Sequence, residues 1–505
     1  MASESASGAR LPFLTKALYG SGTVAFGVKD QGFGALLMLF YNQVVGLPAV
    51  WVGTAIMIAM VADAAIDPIL GQLSDGTRSR WGRRHPFMYA AALPAAASYF
   101  LLWTPPQASH EIQFVYLLVV AIAVRASISL YEIPSTALLA EFTSDYHERT
   151  RLVGYRFFFG VVAGVLMNIV AFKFFLRPTA GQPIGQLNAP GYTTYALVAA
   201  VVMFVSILVS SLGTHRRIAA LPPPPHARAT LRQVLKSMRE VLFHRTYASI
   251  LFASLFFAMT SGLVSSLGIY FSTYLWRLGA SQIATISGGA FVGIGLAFAA
   301  ALPLSARFGK KPTAMALFAL ALVVSAAPLA LRLWGVFPAN GAPLLVPLLT
   351  AQTAFTTMCA IAGAVLAVSM VADVTEQVQI STGRRAEGLL FSAATLVNKA
   401  VSGMGVFISG LLLAAIHFPV NASVDAVSSA SLSALALTFI CATTLCSVLA
   451  IACLAFYPIS RTAHAEAVRR LAEEGAAALP QRNFPSEAAL PPDFEGLPTP
   501  KGVTP

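Results

Sequence analysis

Apolar stretches about 20 residues long recur along the chain and alternate with short polar segments. An α-helix of that length crosses the hydrocarbon core of a bilayer, because it rises about 1.5 Å per residue. The pattern therefore predicts twelve transmembrane helices in two groups of six. We place them near residues 17–44, 50–73, 86–104, 112–139, 150–175 and 192–213, and then near residues 246–276, 283–306, 312–332, 344–371, 388–416 and 430–457.

A polar and basic segment separates the two groups of helices. It contains the run Pro222–Pro225, which cannot continue a membrane span because proline lacks the backbone N–H that a helix needs. A Pro-rich stretch follows the last apolar segment, and we expect this tail to be disordered. The expected parts are an N-terminal six-helix bundle (1–213), a cytoplasmic linker (214–245), a C-terminal six-helix bundle (246–459) and a cytoplasmic tail (460–505).

The composition is typical of a polytopic membrane protein. Of the 505 residues, 57% are hydrophobic and 11% are charged, whereas a soluble domain carries roughly 25% charged residues. The net charge of +12 does not indicate nucleic-acid binding, because Lys and Arg lie mainly between the apolar stretches. The sequence has no phosphate-binding loop, Ser/His/Asp order or metal-ligand spacing, and its four cysteines lie in apolar stretches. We expect no enzyme activity, no cofactor and no structural metal.

The distribution of positive charge predicts the orientation. With the N-terminus inside, the cytoplasmic segments carry 25 of the 33 Lys and Arg residues, and the external loops carry four. Because cytoplasmic loops are enriched in Lys and Arg, both termini are expected in the cytoplasm. Residues 1–10 are small and polar, and we expect no separate signal peptide. These features predict an integral protein of the inner cell membrane.

Two aspartates, Asp63 and Asp67, interrupt the second apolar stretch. They are four residues apart and so lie on one face of a helix. A carboxylate at bilayer depth costs at least about 2.5 kcal/mol, so an interior ion or substrate site is the default interpretation. Arg125, Ser129 and Glu132 form a second stripe with helical spacing. Four acids and four bases lie within predicted spans, namely Asp30, Asp63, Asp67 and Glu132, and Lys29, Arg125, Arg156 and Lys399.

Several of these charges lie in longer motifs. The motifs are Asp63-Ala-Ala-Ile-Asp67-Pro68, Thr77-Arg-Ser-Arg-Trp-Gly-Arg-Arg84, Tyr131-Glu-Ile-Pro134, Glu148-Arg-Thr-Arg151, Ala372-Asp373 and Thr382-Gly-Arg-Arg-Ala-Glu-Gly388. Together they resemble the glycoside–pentoside–hexuronide:cation symporters, the melibiose-permease-like branch of the major facilitator superfamily. The resemblance implies an all-α polytopic membrane protein in which two six-helix bundles surround a central cavity with alternating access.

The resemblance also implies roles for individual residues. Asp63 and Asp67 match the family's cation-coordinating acids, and Ser129 matches a hydroxyl that contributes to that site. Thr136 stands where melibiose permease stacks a tryptophan on its galactoside, so galactoside specificity does not carry over. Arg125 has no counterpart, and we expect it to pair with a nearby acid. The substrate-binding candidates are Asp30, Arg125, Glu132, Arg156, Thr395 and Lys399.

The acid pair admits three interpretations. Na⁺ would take oxygen ligands from the two carboxylates and from Ser129. Alternatively, Asp63 and Asp67 share one proton, since two like charges this close together favour protonation of one of them. The third interpretation is structural: an ion pair with Lys29 or Arg125 locks helices together. We expect the coupling-ion role.

The substrate class also has alternatives. Arg156 and Lys399 fit the carboxylate of a hexuronide through charge-assisted pairs, whereas Glu132 and Asp30 fit the hydroxyls of a neutral sugar. Because four acids balance four bases, we expect a neutral sugar. A lipid-like or other amphiphilic cargo, or a non-transporting nutrient sensor, are the remaining alternatives. The expected partners are the small-molecule substrate and membrane lipids, without nucleic acid, and the expected state is a monomer.

A cluster of charges follows the predicted cytoplasmic ends of the helices. We expect it to act as a gate whose ion pairs break when the cytoplasmic side opens; the alternative is that it only sets topology. Its members are Arg78, Arg83, Arg84, Glu141, Asp145, Arg149, Arg151, Asp373 and Glu376.

Overall fold

The computed structural model describes residues 11–143, 145–215, 245–382 and 387–456 of the chain. Over these ranges the chain forms helices and contains no strand. Most of the predicted linker and all of the predicted tail lie outside the described residues. The principal helices are α1 (Phe13–Ser21), α2 (Thr23–Gln31), α3 (Ala49–Gly76), α4 (His85–Leu102), α5 (His110–Phe142), α6 (Tyr146–Val170), α7 (Ala189–His215), α8 (Arg245–Tyr270), α9 (Ala280–Phe308), α10 (Lys310–Leu333), α11 (Leu345–Thr382), α12 (Glu387–Ala415) and α13 (Ser429–Ala455).

The helices pack in two groups that follow the two halves of the chain. In the first half, α6 packs against α1 and α2, and α4 packs against α5 and α7. In the second half, α11 packs against α9 and α10, and α13 packs against α8 and α10. The two groups meet where α3 packs along α12, where α6 packs against α9 and where α8 packs against Gly32–Leu36. This is the all-α, two-bundle arrangement that the sequence predicts.

The course of the chain distinguishes the two ends of the bundle. We call the end that carries the start of α1 and the end of α13 the terminal face, and the opposite end the distal face. At the terminal face, Leu18 packs against Gly213, and at the distal face Asn421 lies against Gly46. Helices α1 and α2 follow one another in one pass from the terminal face towards the distal face, since Gly22 between them is helical, and the helices from α3 onwards run in alternate directions.

Nine of the described helices are long and apolar enough to cross a membrane. The other three predicted spans fall on the divided segment 13–45, on α4, which has 18 residues, and on α12, where residues Val401–Ala415 form a shorter apolar helix. For these three segments, the crossing of the membrane stays a prediction.

The first predicted helix is not a single α-helix. Between α2 and α3 lie two π-helical segments, Gly32–Leu36 and Phe40–Val45. Further π-helical segments extend α6 (Ala171–Phe175) and α8 (Phe271–Leu275). All four lie towards the distal face, where the two halves of the chain are in contact. Such segments are frequent at functional sites, because the extra residue per turn redirects the side chains that follow.

One predicted loop is helical. The sequence analysis ends a helix near residue 371 and places Asp373 and Glu376 in a loop, but α11 continues to Thr382. That prediction is wrong because residues 371–382 are polar yet contain neither Gly nor Pro, so nothing in them stops a helix that leaves the hydrocarbon core.

Candidate functional site

Asp63 occupies a fully enclosed position between α3 and α5. Its side chain is 2% exposed, and its Oδ1 accepts a hydrogen bond from the Ser129 hydroxyl at 2.7 Å. Its Oδ2 lies 3.3 Å from Nη1 of Arg125. The guanidinium of Arg125 also lies over the ring of Phe33, 5.2 Å from its centroid. Because Arg125 and Ser129 are four residues apart on α5, they lie on the same helix face and both contact the carboxylate of Asp63.

Lys399 of α12 joins this carboxylate to two others. Its Nζ lies 2.7 Å from Asp67 Oδ2, 3.6 Å from Asp63 Oδ2 and 3.9 Å from Glu132 Oε2. From the sequence, Lys399 is predicted to bind the substrate, and Asp63 and Asp67 are predicted to bind the cation. The structure instead brings all of them into one cluster, which we call the ion cluster: Asp63, Asp67, Arg125, Glu132 and Lys399.

The ion cluster has an imbalance of charge. Three carboxylates face two cationic side chains, so with all five groups ionised the cluster carries one excess negative charge. Two carboxylate oxygens in it, Oδ1 of Asp67 and Oε2 of Glu132, are buried and have no hydrogen-bond partner among the described residues. A buried charge of this kind is unfavourable unless a counterion or proton neutralises it.

Prolines in both acid-bearing helices adjust the backbone beside the cluster. Pro68 follows Asp67 inside α3, and Pro134 lies two residues after Glu132 inside α5. Each proline removes one intrahelical hydrogen bond and keeps its ring against the preceding turn. The helices can therefore bend next to the carboxylates, where a transporter would have to rearrange.

The remaining intramembrane charges, Lys29, Asp30 and Arg156, form no ion pair with the ion cluster among the described residues, but they lie near enough to act electrostatically on Glu132. Lys29 pairs with Asp30 at 2.7 Å, and not with the aspartates of α3. The side chain of Asp30 is 49% exposed although it lies halfway along the first predicted span. Arg156 donates to the hydroxyls of Ser135 at 2.7 Å and Thr136 at 2.9 Å. Among the described residues Arg156 forms no ion pair. Its guanidinium is held by these two neutral hydroxyls instead.

Some predicted site residues cannot be placed. The side chains of Thr395, Asp373 and Glu376 lie outside the part of the chain that the structure describes. Their roles stay predictions.

The predicted gate residues of the first half form two clusters at the terminal face. In the first, Arg83 and Arg84 both contact Glu141, and Arg84 also contacts Asp75 at 3.0 Å. These contacts join the loop after α3 to the end of α5, within one half of the chain. Arg78 in the same loop is exposed.

The second cluster surrounds the start of α6. Glu148 pairs with Lys16 of α1 and with Arg151, both at 2.8 Å. Asp145 caps the helix, because its Oδ1 accepts the backbone N–H of Glu148 at 2.7 Å. Arg149 donates to the carbonyl of Thr143 at 2.9 Å. The ion pairs and hydrogen bonds described above for the gate residues thus all lie within the first half.

Residues that the sequence analysis did not select close the distal face. Tyr270 donates to Asn42 Oδ1 at 2.9 Å, and Tyr274 donates to Gln43 Oε1 at 2.8 Å. The same Gln43 oxygen accepts the backbone N–H of Ala422, and its Nε2 donates to the carbonyl of Pro419. We call these contacts between the two halves the distal seal.

The sequence contains a signal for the distal seal. Asn42 and Gln43 are adjacent amides at the end of an apolar stretch, and Tyr270 and Tyr274 share a helix face through i, i+4 spacing. Buried amides and phenols require partners. The sequence alone does not say that these four partners, which come from different halves of the chain, find one another.

The fold agrees with comparisons to known proteins. The sequence profile of the family described as MFS/sugar transport protein matches residues 18–461. The chain is similar to an uncharacterized symporter of Synechocystis sp., with 32% identity over 217 residues, which are 42% of this chain and 40% of that protein. It is also similar to the isoprimeverose transporter of Lactiplantibacillus pentosus, with 26% identity over 404 residues, which are 80% of each protein.

Among solved structures, the xylose transporter XylE of E. coli in its inward open conformation is similar, with a TM-score of 0.60 and 13% identity over 90% of this chain and 98% of that one. At that identity the likeness supports the fold alone. The match spans 40% of the length of the Synechocystis protein and 80% of that of the isoprimeverose transporter. The names of the Synechocystis and Lactiplantibacillus proteins are those of a symporter and a transporter, which agrees with the expectation that the chain is not an enzyme. Because the family profile covers most of the chain, the resemblance is confirmed: the chain belongs to the MFS/sugar transport protein family, in its glycoside–pentoside–hexuronide:cation symporter branch.

Proposed function

We propose that the chain is a sugar:cation symporter of the inner cell membrane, which carries a glycoside, pentose or hexuronide by alternating access with Na⁺ or H⁺ as the coupling ion. The names of the similar proteins support symport and a sugar substrate. The observation that carries the proposal is the excess negative charge of the ion cluster. A single bound cation would neutralise it.

Lys399 couples the ion to the sugar in this proposal. Without the ion, its ammonium group neutralises Asp67 and stays near Asp63. A cation bound between the two aspartates weakens the attraction between Lys399 and these carboxylates, because the cation neutralises part of their negative charge. Lys399 then turns towards Glu132 and the cavity, so that ion binding prepares the sugar site.

Both candidate ions fit the oxygen atoms present. Na⁺ would use the carboxylates together with the Ser129 hydroxyl, which already lies 2.7 Å from Asp63 Oδ1. A proton would settle on a carboxylate oxygen that has no partner, such as Oδ1 of Asp67. Either ion removes the same excess charge.

The sugar site lies on the cavity side of the ion cluster. Glu132 offers an acceptor for sugar hydroxyls, and Arg156 offers donors that Ser135 and Thr136 now occupy. A sugar hydroxyl would replace these neutral partners, and the carboxylate of a uronide would form a charge-assisted pair with the same guanidinium. Asp30, half exposed beside Lys29, completes the polar wall.

The conformation belongs to the cytoplasm-facing half of the transport cycle in this proposal. The distal seal closes one face, while the side chain of Asp30 in the middle of the bundle is half exposed. The cavity would therefore open at the terminal face, which we assign to the cytoplasm from the positive charge of its loops. Bundles 1–213 and 246–459 would rock about the ion cluster to open the other side.

Gradient-driven uptake tests the proposal. In proteoliposomes with an imposed Na⁺ or H⁺ gradient, we expect Asp67→Asn and Asp63→Asn to lower sugar accumulation by about tenfold or more, because each removes a charged ligand of the ion. Sugar exchange without a gradient should be partly retained, since the hydroxyl-binding groups remain.

Asp425→Asn is the matched control, because Asp425 is 87% exposed and pairs only with Arg277 in a loop of the distal face among the described residues. It should accumulate sugar as the wild type does. Wild-type accumulation in both α3 variants would reject the coupling role of the acid pair.

A further inference from the structure

Arg125 places a permanent positive charge inside the ion cluster. Its side chain is 4% exposed, and its Nη1 lies 3.3 Å from Oδ2 of Asp63. An arginine side chain keeps its charge in proteins, whereas a carboxylate can take up a proton. The charge of Arg125 is therefore present throughout a transport cycle, and any coupling ion has to bind beside it.

Two neighbours hold the guanidinium of Arg125 in this position. The carboxylate of Asp63 contacts it, and the ring of Phe33 lies 5.2 Å away, where the face of the ring attracts a cation. Asp63 and Arg125 are both almost fully enclosed, so separating them would leave two buried charges without this contact. The two side chains thus form a neutral unit, which we call the fixed pair.

The other three members of the ion cluster carry its excess negative charge. They are Asp67, Glu132 and Lys399, and we call them the exchange triad. Lys399 lies 2.7 Å from Asp67 and 3.9 Å from Glu132, so one ammonium group serves two carboxylates. Each of these carboxylates has a buried oxygen atom without a hydrogen-bond partner among the described residues. The need for a further positive charge therefore lies in the exchange triad and not at Asp63.

Charged groups of two further helices act on the exchange triad at longer range. Lys29 and Asp30 of α2 pair with each other at 2.7 Å, so their charges largely cancel. Arg156 of α6 donates to two neutral hydroxyls and forms no ion pair with Glu132 among the described residues. Because Arg156 acts on Glu132 only at longer range, it reduces the excess negative charge of the triad without removing it.

A Na⁺ ion bound to Oδ2 of Asp63 would meet both cations of the ion cluster. Arg125 lies 3.3 Å and Lys399 lies 3.6 Å from this oxygen atom. At an ordinary metal–oxygen distance of about 2.4 Å, the ion would lie no more than about 6 Å from either nitrogen atom. Like charges this close repel strongly in an enclosed site. Oδ1 of Asp63 already accepts the hydrogen bond of Ser129, so both oxygen atoms are engaged and a sodium site at Asp63 is unfavourable.

A proton avoids these costs. It bonds to a single oxygen atom and requires no shell of ligands, so it does not need Asp63. On Oδ1 of Asp67 it would give a neutral carboxyl group, and the exchange triad would keep one carboxylate and one ammonium group. Lys399 is then free to pair with Glu132, whose Oε2 lies 3.9 Å away.

We propose that Arg125 makes H⁺, and not Na⁺, the coupling ion of this protein, because it neutralises Asp63 with a permanent charge and leaves the exchange triad to bind one proton. The inference rests on the proposed symport and deepens it by naming the ion. The proton comes from water on one side of the membrane, forms an O–H bond with Asp67 and returns to water on the other side. Arg125 is then the residue that determines ion specificity.

Accumulation by the wild type tests the ion directly. Full-length protein in proteoliposomes is given labelled D-xylose, D-galactose, melibiose and D-glucuronate, with the membrane potential clamped. An inward H⁺ gradient of about one pH unit supports up to about tenfold accumulation when one proton accompanies each sugar. We expect such a gradient, in the absence of Na⁺, to drive accumulation of the transported sugar. An inward Na⁺ gradient at equal pH should drive no more accumulation than a choline gradient.

Variants of Arg125 test the residue. Arg125→Gln removes the charge, so the two aspartates and Ser129 become available as oxygen ligands for Na⁺. We expect the midpoint of thermal unfolding of this purified variant to be about 3 °C higher in NaCl than in choline chloride at equal ionic strength, without sugar, because Na⁺ binds the folded state. Arg125→Lys keeps the charge, and both it and the wild type should show no difference between the two salts.

Arg332→Gln is the matched control for the loss of an arginine elsewhere. Arg332 lies in the last turn of α10 and donates to the carbonyl of Pro338 and to Oδ1 of Asn340, not to an acid. Its replacement leaves no carboxylate without a partner, so the unfolding midpoint of Arg332→Gln should also be the same in NaCl and in choline chloride.

The outcomes separate this inference from the proposed function. Accumulation driven by the Na⁺ gradient in the wild type overturns proton coupling, while symport stands. A folded Arg125→Gln variant that is as insensitive to Na⁺ as the wild type overturns the role of Arg125. If that variant does not fold, a response of the wild type or of Arg125→Lys to Na⁺ still rejects the inference. If no sugar accumulates under either gradient, the proposed function fails and the inference fails with it.

Discussion

The contact between Lys399 and Asp67 makes a prediction about stability. Both side chains are largely enclosed, with exposed fractions of 16% and 11%, and their charged atoms lie 2.7 Å apart. Replacing one member leaves a mostly buried charge without its partner, which typically costs about 3 kcal/mol. We therefore expect Lys399→Met to lower the midpoint of thermal unfolding in detergent clearly, and the double variant Lys399→Met/Asp67→Asn to recover most of the loss.

Arg156→Met is the control for the comparison of the Lys399→Met single variant with the Lys399→Met/Asp67→Asn double variant. Arg156 is also an intramembrane cation, but its partners are the neutral hydroxyls of Ser135 and Thr136. Adding Asp67→Asn to Arg156→Met should therefore not restore stability. If adding Asp67→Asn restores stability equally in the Lys399→Met and Arg156→Met variants, the recovery does not come from the pairing of Lys399 with Asp67. The membership of the ion cluster would then be wrong.

Local spacing accounts for the part of the site that the sequence predicted. The i, i+4 relation of Arg125 and Ser129 places both on the face of α5 that meets Asp63, as the structure shows. Lys399 lies 332 residues from Asp67 along the chain, and no periodicity relates them. The sequence marked Lys399 through a family resemblance, and only the packing of α12 on α3 reveals which acids it contacts.

At the scale of helices, the contact between α3 and α12 depends on glycine. A Cβ on Gly410 would lie 2.5 Å from the carbonyl oxygen of Ala49, and one on Gly53 would lie 3.0 Å from the Cα of Phe407. The two helices approach at the distal face because these positions lack side chains. The same pair of helices carries Asp67 and Lys399 further towards the terminal face.

We expect Gly410→Val to separate α3 from α12 at the distal face and to favour the conformation that opens there. The measure is alkylation of a single cysteine introduced at Leu413, which is 1% exposed, in a variant without native cysteines. Labelling from the distal side should become faster in the Gly410→Val background. Gly288→Ala is the control, since nothing lies within 4 Å of the added Cβ. Equal labelling rates in the two backgrounds would contradict a sealing role for this contact.

The apolar pattern predicted the positions of the helices along the chain better than it predicted their ends or their departures from α-helical geometry. The second predicted span, 50–73, corresponds to α3, Ala49–Gly76, because proline at position 48 and a basic loop mark its ends. The π-helical segments between α2 and α3 were not predicted, since hydrophobicity does not distinguish an α turn from a π turn. Both segments contact α8 of the other half of the chain: Gly32–Leu36 packs against it, and Asn42 accepts a hydrogen bond from its Tyr270.

For the whole molecule, the contacts at the two faces differ in kind. The distal seal is made of neutral amides and phenols that join the two halves. The described ion pairs of the terminal face join elements of the first half only. These ion pairs are enclosed, with side chains no more than 13% exposed, so salt screens them much less than it would screen surface pairs. The asymmetry suits a carrier whose two faces must open at different steps.

The orientation of the protein in the membrane can be tested by labelling from one side. Ser79, in the basic loop after α3, and Ser109, just before α5, are both exposed, and they lie at opposite faces of the bundle. Because basic loops stay in the cytoplasm, a cysteine at Ser79 should react with a membrane-impermeant maleimide only in inside-out vesicles, and one at Ser109 only in intact cells. Thr214 would be a poor reporter, since it is fully buried and its hydroxyl lies 3.0 Å from His85. Labelling of Ser79→Cys in intact cells would reverse the orientation and place the open end of the cavity outside.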